Sequence, residues 1–373
     1  MVASISARGN ASTAARYYLH LKEEPYYLTD QDTESFWLGA GCGALGLRGQ
    51  VTNGQFSRLL QGLHPRNQSK LVNSGGRKNT RQSGWDLTLS APKSVSIVWA
   101  LSDTLQRSKI ERVQKAAAKK TVQWAESNLA LCRRGKGGRN RENAAGLVFA
   151  AFQHFTSRKN DPQLHLHLFT FNAAQRQDLS WGAILSKPLY QAQKQLGSIY
   201  RAELNRGLLK LGYAASEAGE TIKIKAISDE MEQAFSTRRN DIKKLVEQIA
   251  NPTARDYEKA TLKSRPKKQS ISLDVLLKTW RQHAQSLGLN RECIAPKHIE
   301  APSRKNVLAK FRASVSTLRS FSLSRRPPAL LSININRVKK ICIDWIAYRF
   351  SMKRKSGQTL ERIHVTQDPQ IKP

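Results

Sequence analysis

Acidic residues are scarce in this chain of 373 residues, which has 28 Asp and Glu against 62 Lys and Arg and therefore a net charge of +34. So large an excess of positive charge attracts polyanions, of which nucleic acid is the commonest. An enzyme of small molecules would have no use for it. A membrane surface is the alternative partner, but no basic helix with a clean apolar face is evident. The composition therefore predicts a nucleic-acid-binding protein.

Cysteines and long apolar runs are also lacking. The four cysteines lie far apart and form no Cys-x-x-Cys pair, which argues against a disulfide framework or a zinc ribbon and favours a reducing compartment. No apolar run approaches the length of about 18 residues that a membrane helix needs, and the first residues contain no apolar signal-peptide core. We therefore expect a cytoplasmic protein without membrane insertion.

Nucleotide-binding motifs are absent or out of context. Residues 41–46 fit Gly-x-Gly-x-x-Gly, but no buried strand precedes them and the ribose-binding acid is missing about 20 positions later. The phosphate-binding loop Gly-x-x-x-x-Gly-Lys-Ser/Thr does not occur. The sequence thus predicts neither a dinucleotide enzyme nor an ATP-driven motor, and no helicase domain.

Strand and helix patterns alternate along the first 300 residues. Strands are predicted near 2–6, 85–89 and 221–227, a hairpin near 146–172, helices near 56–63, 103–131 and 189–211, three polar helices within 228–287, and a basic loop over 133–141. This mixture predicts an α+β fold with a central antiparallel sheet flanked by helices. We expect one domain over 1–300 and a basic, partly disordered extension over 301–373, which holds 16 Lys and Arg against 3 Asp and Glu.

Three histidines fall on the predicted hairpin. His165 and His167 are two apart in a strand and therefore share a face. A turn centred near Lys159 and Asn160 would set His165 opposite His154 on that face. An isolated His-x-His arises by chance, but three convergent imidazoles without a fourth protein ligand predict an open metal site of the kind that carries out chemistry.

Two tyrosine pairs, Tyr17-Tyr18 and Tyr26-Tyr27, lie close together near the N-terminus. Aromatic residues usually fill a core, and one member of each pair is expected to do so. A tyrosine phenol can also attack a phosphodiester and leave a covalent phosphotyrosyl link, which requires a Lewis acid on the scissile phosphate. From these residues alone both interpretations stay open.

Three charged residues accompany these motifs. Asp86 lies in an apolar strand pattern, where a carboxylate is costly unless it is paired. It is either held by backbone amides, or orients a metal-binding histidine, or accepts the proton of an attacking phenol. Lys93 and Arg158 are either phosphate contacts or solvated charges.

These segments, in this order, resemble the conjugative relaxases of the TrwC/TraI (MobF) type, within the HUH endonuclease superfamily. The resemblance covers roughly the first 290 residues. The matching segments are Ala15–Tyr18 with Tyr26-Tyr27, Asp86–Ser96, Phe152–Arg158, Asp161–His167, Leu196–Leu204 and Leu211–Tyr213.

The resemblance implies that the central antiparallel sheet carries the metal-binding histidines. It also implies nicking and strand transfer at a plasmid transfer origin through a 5′-phosphotyrosyl link, with Mg²⁺ or Mn²⁺ as cofactor. The residue roles that it implies are metal ligands for His154, His165 and His167, an acid that either supports a metal ligand or accepts a proton for Asp86, first nucleophile for Tyr17 and second nucleophile for Tyr26.

Implied partners are single-stranded and hairpin DNA of the transfer origin, relaxosome accessory proteins, a separate helicase and a type IV secretion coupling protein. Relatives usually continue into a long helicase, so we expect either a stand-alone nickase or a truncated copy. One alternative is a truncated, non-catalytic protein that binds an origin hairpin. Another is a metal-dependent hydrolase or oxygenase unrelated to DNA, although an oxygenase triad uses two His and a carboxylate.

Overall fold

A computed structural model of the chain describes residues 3–15, 34–72, 81–213, 215–218, 221–247, 249, 251–264 and 271–296. The chain divides into two units, Met1–Ile299 and Glu300–Pro373, and every described residue lies in the first. The four tyrosines of the N-terminal pairs and the predicted extension lie outside the described residues. The assignment of residues 1–300 and 301–373 to two domains stays a prediction.

The described strands and helices begin and end as follows. The strands are β1 (Ala3–Ala7), β2 (Ser35–Leu38), β3 (Gly84–Ser90), β4 (Leu131–Arg134), β5 (Asn140–Thr156), β6 (Pro162–Arg176), β7 (Trp181–Gly182), β8 (Ala215–Ala218) and β9 (Thr221–Ile224). The helices are α1 (Gly41–Ala44), α2 (Asn53–Leu60), α3 (Lys93–Leu101), α4 (Thr104–Leu129), α5 (Lys187–Gln191), α6 (Gln193–Lys210), α7 (Asp229–Ala234), α8 (Thr237–Val246), α9 (Ala254–Lys263), α10 (Leu273–Ser286) and α11 (Arg291–Ile294). Residues 11–15 are also helical.

The central sheet is antiparallel, with the order β1-β3-β6-β5-β2. β4 pairs with the first residues of β5, and β7 pairs with the end of β6. β8 and β9 form a separate hairpin. Helices cover the sheet, and the α+β prediction is therefore confirmed. Within the described helices, none combines the length and the apolar character needed to cross a membrane.

The two faces of the sheet bury different side chains because successive residues of a strand point to opposite sides. One face buries leucines of β3 and β6 in a large core that includes residues of α3, α4 and α6. On the other face, Phe56 of α2 contacts Phe152, Phe169 and Phe171, with ring centroids 5.6, 5.3 and 5.3 Å away. This second face continues beyond the aromatic rings to the three histidines.

Residues 133–141 differ from the prediction. The expected basic loop is a β-ribbon, in which β4 and β5 pair from Leu131–Asn143 to Arg134–Asn140. Its turn contains Gly135, Gly137 and Gly138, all with positive φ, which lets the chain reverse within a few residues. Because charged residues and glycines dominate this segment, its sequence lacks the alternation of apolar and polar residues that predicts a strand.

Two helix predictions also need correction. The helix expected over 189–211 is two helices, α5 and α6, separated at Ala192. Residues 228–287 contain α7, α8, α9 and α10 rather than three helices.

Gly39 and Gly41 allow close packing on β5. A Cβ atom at Gly39 would lie 2.4 Å from the carbonyl oxygen of Leu147, and one at Gly41 would lie 2.9 Å from the same oxygen. Both positions therefore exclude a larger residue, and the packing against β5 explains these glycines without a dinucleotide-binding role.

Candidate metal centre

The turn between β5 and β6 sets the register of the histidines. Ser157 N donates to Asp161 O at 2.8 Å, and Asn160 has a φ of 60°, a left-handed conformation that asparagine tolerates well. His154 and His165 are direct partners across the two strands, as predicted. The hairpin therefore brings the histidines of both strands to one face.

The three imidazoles converge. The ring centroids are 5.2 Å apart for His154 and His165, 4.8 Å for His154 and His167, and 5.1 Å for His165 and His167. One nitrogen from each ring lies within 4.8 Å of the others. His154 is buried, and the other two are half-buried. Three imidazole nitrogens that face one another form a set that a divalent metal can accept.

Contacts behind the rings fix two of the histidines. His165 Nδ1 lies 2.8 Å from the Gln163 carbonyl oxygen, and His167 Nδ1 lies 2.9 Å from Asp86 Oδ2. A carbonyl and a carboxylate only accept hydrogen bonds, so each Nδ1 donates. This leaves Nε2 of His165 and of His167 as the nitrogen that can bind a metal.

Asp86 is fully buried on β3, next to β6. Its carboxylate accepts from His167 Nδ1, from the Arg8 guanidinium and, at 3.4 Å, from the Thr88 hydroxyl. Burial alone raises the pKa of the Asp86 carboxyl, but the charges and hydrogen bonds of His167 and Arg8 outweigh burial and hold the pKa well below its usual range. These side-chain contacts fit the interpretation that Asp86 orients a histidine.

Arg8 is the residue of this site that sequence reasoning missed. It directly follows β1, and its backbone N donates to Gly84 O at 3.1 Å. The register of β1 and β3, in which Ser6 is the partner of Asp86, brings the guanidinium to the carboxylate. No local sequence pattern near Arg8 predicts this contact, because the contact joins residues that are 78 positions apart.

Lys93 and Arg158, the two predicted phosphate contacts, are not part of the histidine cluster. Lys93 is half-buried, and its Nζ donates to the Pro162 carbonyl oxygen at 2.9 Å. Burial lowers the pKa of Lys93 to about 8, although the carboxylates of Asp161 and Glu232 oppose that shift. Lys93 is thus not a solvated charge. Arg158 is half-buried in the hairpin turn, and a phosphate contact stays a prediction for both residues.

Sequence comparison identifies relatives over most of the chain. The model of a family described as TrwC relaxase matches residues 11–287. The multifunctional conjugation protein TraI of Escherichia coli K12 is 30% identical over an alignment of 297 residues that covers 77% of this chain. The matched region is 16% of that protein, so the chain spans only a small part of the length of this curated relative.

Solved structures of the conjugative relaxase TrwC with oriT DNA are similar in fold. A copper-bound complex has a TM-score of 0.69 and 29% identity, and the match covers 77% of this chain and 100% of that one. A complex with a 27-mer DNA that comprises the recognition hairpin and the cleavage site has a TM-score of 0.67 and 29% identity over 78% of this chain and 99% of that one. A further TrwC complex is metal-bound. These metal-bound relatives and the three converging imidazoles support a divalent metal.

Proposed function

Because this chain belongs to the TrwC relaxase family, we propose that it nicks one DNA strand at a plasmid transfer origin and transfers it through a 5′-phosphotyrosyl intermediate. The observation that carries the proposal is the convergence of three imidazoles on one sheet face, with a buried carboxylate behind one of them. The net charge of +34 adds attraction for the DNA.

His154, His165 and His167 would hold the metal, with Mg²⁺ or Mn²⁺ in function. A bound divalent ion draws negative charge from the scissile phosphate and so favours attack on phosphorus. Three neutral nitrogens also accept Zn²⁺, Co²⁺, Ni²⁺ and Cu²⁺, and the metal of a crystal need not be the working one. The contacts of His165 and His167 hold two rings in the tautomer that metal binding requires.

Asp86 serves in this proposal as a positioning residue. Its carboxylate already accepts from His167 and Arg8, and these contacts suit it to fix the ring of His167. The Asp86 carboxylate is fully buried and already accepts from His167, Arg8 and Thr88, so we assign the phenol proton to another acceptor.

Tyr17 would be the first nucleophile and Tyr26 the second. The phenol oxygen bonds to phosphorus, the bond from phosphorus to the 3′ oxygen breaks, and the phenol proton ends on the released 3′-hydroxyl. A second phenol permits a second exchange without release of the first product.

The substrate would be single-stranded and hairpin DNA of a transfer origin in the cytoplasm. Strand transfer between cells also requires unwinding and export of the nicked strand. Relaxosome accessory proteins, a separate helicase and a type IV secretion coupling protein are therefore the partners that we propose for this activity.

The tyrosine variants test the proposal. The full chain is incubated with Mn²⁺ and a labelled oligonucleotide that contains the transfer origin, and covalent adducts are separated on a denaturing gel. Tyr17→Phe keeps the ring and removes only the nucleophile, so we expect no adduct. Tyr26→Phe should form the first adduct and lose the second exchange to an added acceptor strand.

Tyr257→Phe on α9 is the matched control, because Tyr257 is 44% exposed and has no part in the mechanism. It should behave as the wild type. Adduct formation by Tyr17→Phe at the wild-type yield would contradict the assignment of the first nucleophile. A wild-type chain that binds the oligonucleotide but never forms an adduct would instead be the non-catalytic hairpin-binding protein.

A further inference from the structure

A basic ribbon lies at the end of β5 that is remote from the histidines. We define the basic ribbon as residues 131–141, which comprise β4, the glycine turn and the first residues of β5. Fourteen positions of one strand separate Asn140 from His154, which at about 3.3 Å per residue amounts to a distance on the order of 40 Å. At that distance the ribbon lies too far from the histidines to contact a phosphate bound at the proposed metal site.

One side of the ribbon is electrically neutral. Arg134 forms ion pairs with Glu142 at 2.8 Å and with Asp178 at 2.6 Å, and Arg176 of β6 lies 2.8 Å from Glu142. Two cations thus meet two carboxylates. These pairs, together with the β4–β5 ladder, hold the ribbon against the end of β6.

The other side carries uncompensated positive charge. Arg133 and Arg141 are direct partners across the ribbon, both are exposed, and like charges placed directly opposite destabilise a strand pair. Lys136 and Arg139 extend this charge into the turn, and both are exposed. Within the described part of the chain, none of the four forms an ion pair with a carboxylate. These four cations therefore create a region of positive potential that an external anion can occupy.

We propose that the basic ribbon binds the phosphate backbone of duplex DNA that flanks the nicking site. Three of its four exposed cations are arginines, whose planar guanidinium matches phosphate oxygens bidentately. A phosphate between Arg133 and Arg141 would convert their repulsion into two attractions. An anionic membrane fits less well, because the turn from Gly135 to Arg139 offers no apolar side chain for insertion. The inference rests on the proposed function only in taking DNA as the substrate.

Matched charge-removal variants of the full chain test the proposal. The ribbon variant replaces Arg133, Lys136, Arg139 and Arg141 by Gln. The control variant replaces four exposed cations elsewhere, Arg112, Lys119, Lys120 and Lys194, by Gln and lowers the net charge equally. Binding of a labelled 30-base-pair duplex of arbitrary sequence is followed by fluorescence anisotropy over a range of salt concentrations.

We expect the ribbon variant to bind the duplex about tenfold more weakly or worse, with a salt slope reduced by about one for each lost phosphate contact. The control variant should lose much less. Equal losses in the two variants would overturn the proposal, because net charge alone would then explain the binding. A ribbon-specific loss on vesicles of phosphatidylserine and phosphatidylcholine, without one on the duplex, would overturn it in favour of a membrane surface.

A second variant separates recognition from folding. Arg133→Gln with Arg141→Gln removes the repulsive pair, so its Tm should equal or exceed that of the wild type while its duplex affinity falls. A lowered Tm with unchanged duplex affinity would assign the two arginines a structural role instead. Because the readout is duplex binding, this result is independent of whether the chain forms a phosphotyrosyl adduct.

Discussion

The two ends of the β5–β6 hairpin differ in whether their charged side chains are buried and paired or exposed and unpaired. At the metal end, the Asp86 carboxylate is fully buried and accepts from His167 and Arg8. At the ribbon end, Arg133 and Arg141 are exposed and face each other. Buried and paired charges fix geometry, whereas exposed and unpaired charges attract a polyanion in a salt-dependent way. We therefore expect substitutions at the metal end to change the rate of chemistry and substitutions at the ribbon end to change affinity.

His165→Ala should give the largest effect at the metal end. Loss of one of three ligands removes the stabilisation that the metal supplies, and the rate of adduct formation should fall on the order of 1000-fold or more. Binding of hairpin DNA, measured by anisotropy, should stay within about twofold of the wild type, because few phosphate contacts are lost. An equal loss of binding and cleavage would count against a purely catalytic role.

Asp86→Asn should have the next largest effect. The amide cannot accept from His167 and Arg8 as the carboxylate does, and Mn²⁺ affinity, measured by calorimetric titration, should fall about 10- to 100-fold. Arg8→Gln should weaken Mn²⁺ binding less, since His167 keeps its acceptor. Wild-type Mn²⁺ affinity combined with slow cleavage in Asp86→Asn would instead make the carboxylate the acceptor of the phenol proton.

Lys93 is a half-buried cation near the metal end, in contrast to the exposed cations of the ribbon, and its replacement should give a smaller, pH-dependent effect. Burial lowers the pKa of Lys93 from 10.5 to about 8 in the folded chain. Between these values the unfolded chain holds more protons on this amine, so the free energy of unfolding rises with pH.

Lys93→Met should abolish this rise, which we expect to be on the order of 1 to 3 kcal/mol between pH 7.5 and 10. Urea unfolding in the presence of a chelator measures it. Lys194→Met, at an exposed position of α6, is the control and should follow the wild type. Identical pH dependence in wild type and Lys93→Met would show that the amine is not held in a desolvated site.

The difference between the two ends also explains what the sequence could reveal. The histidine register was predictable because the spacing of His165 and His167, and a turn with Asn160, are local features. Arg8 was not, since its contact depends on the pairing of β1 with β3 across a long stretch of chain. The sequence left several roles open for Asp86, and its contacts with His167 and Arg8, which favour the orienting role, were visible only in the structure.

For the basic ribbon, the sequence revealed the charge but not the structure that arranges it. Its charge was evident in the sequence, but Arg133 and Arg141 are partners only because the glycine turn sets their register. Composition alone predicts a basic loop, in which no two charges are forced together. The fold class was predictable because strand and helix patterns alternate along the chain, whereas no proline or glycine marks the break at Ala192 between α5 and α6.

The central claim is that the metal end determines the rate of chemistry and the ribbon end determines DNA affinity. The rate of adduct formation as a function of DNA concentration tests this claim most directly. The DNA carries a transfer-origin hairpin with flanking duplex, and the wild type is compared with His165→Ala and with the four-site ribbon variant. The ribbon variant should need more DNA but reach the wild-type rate at saturation, whereas His165→Ala should stay on the order of 1000-fold slower or worse at every DNA concentration. A wild-type rate for His165→Ala at saturation, or a ribbon variant that stays slow at saturation, would contradict the account.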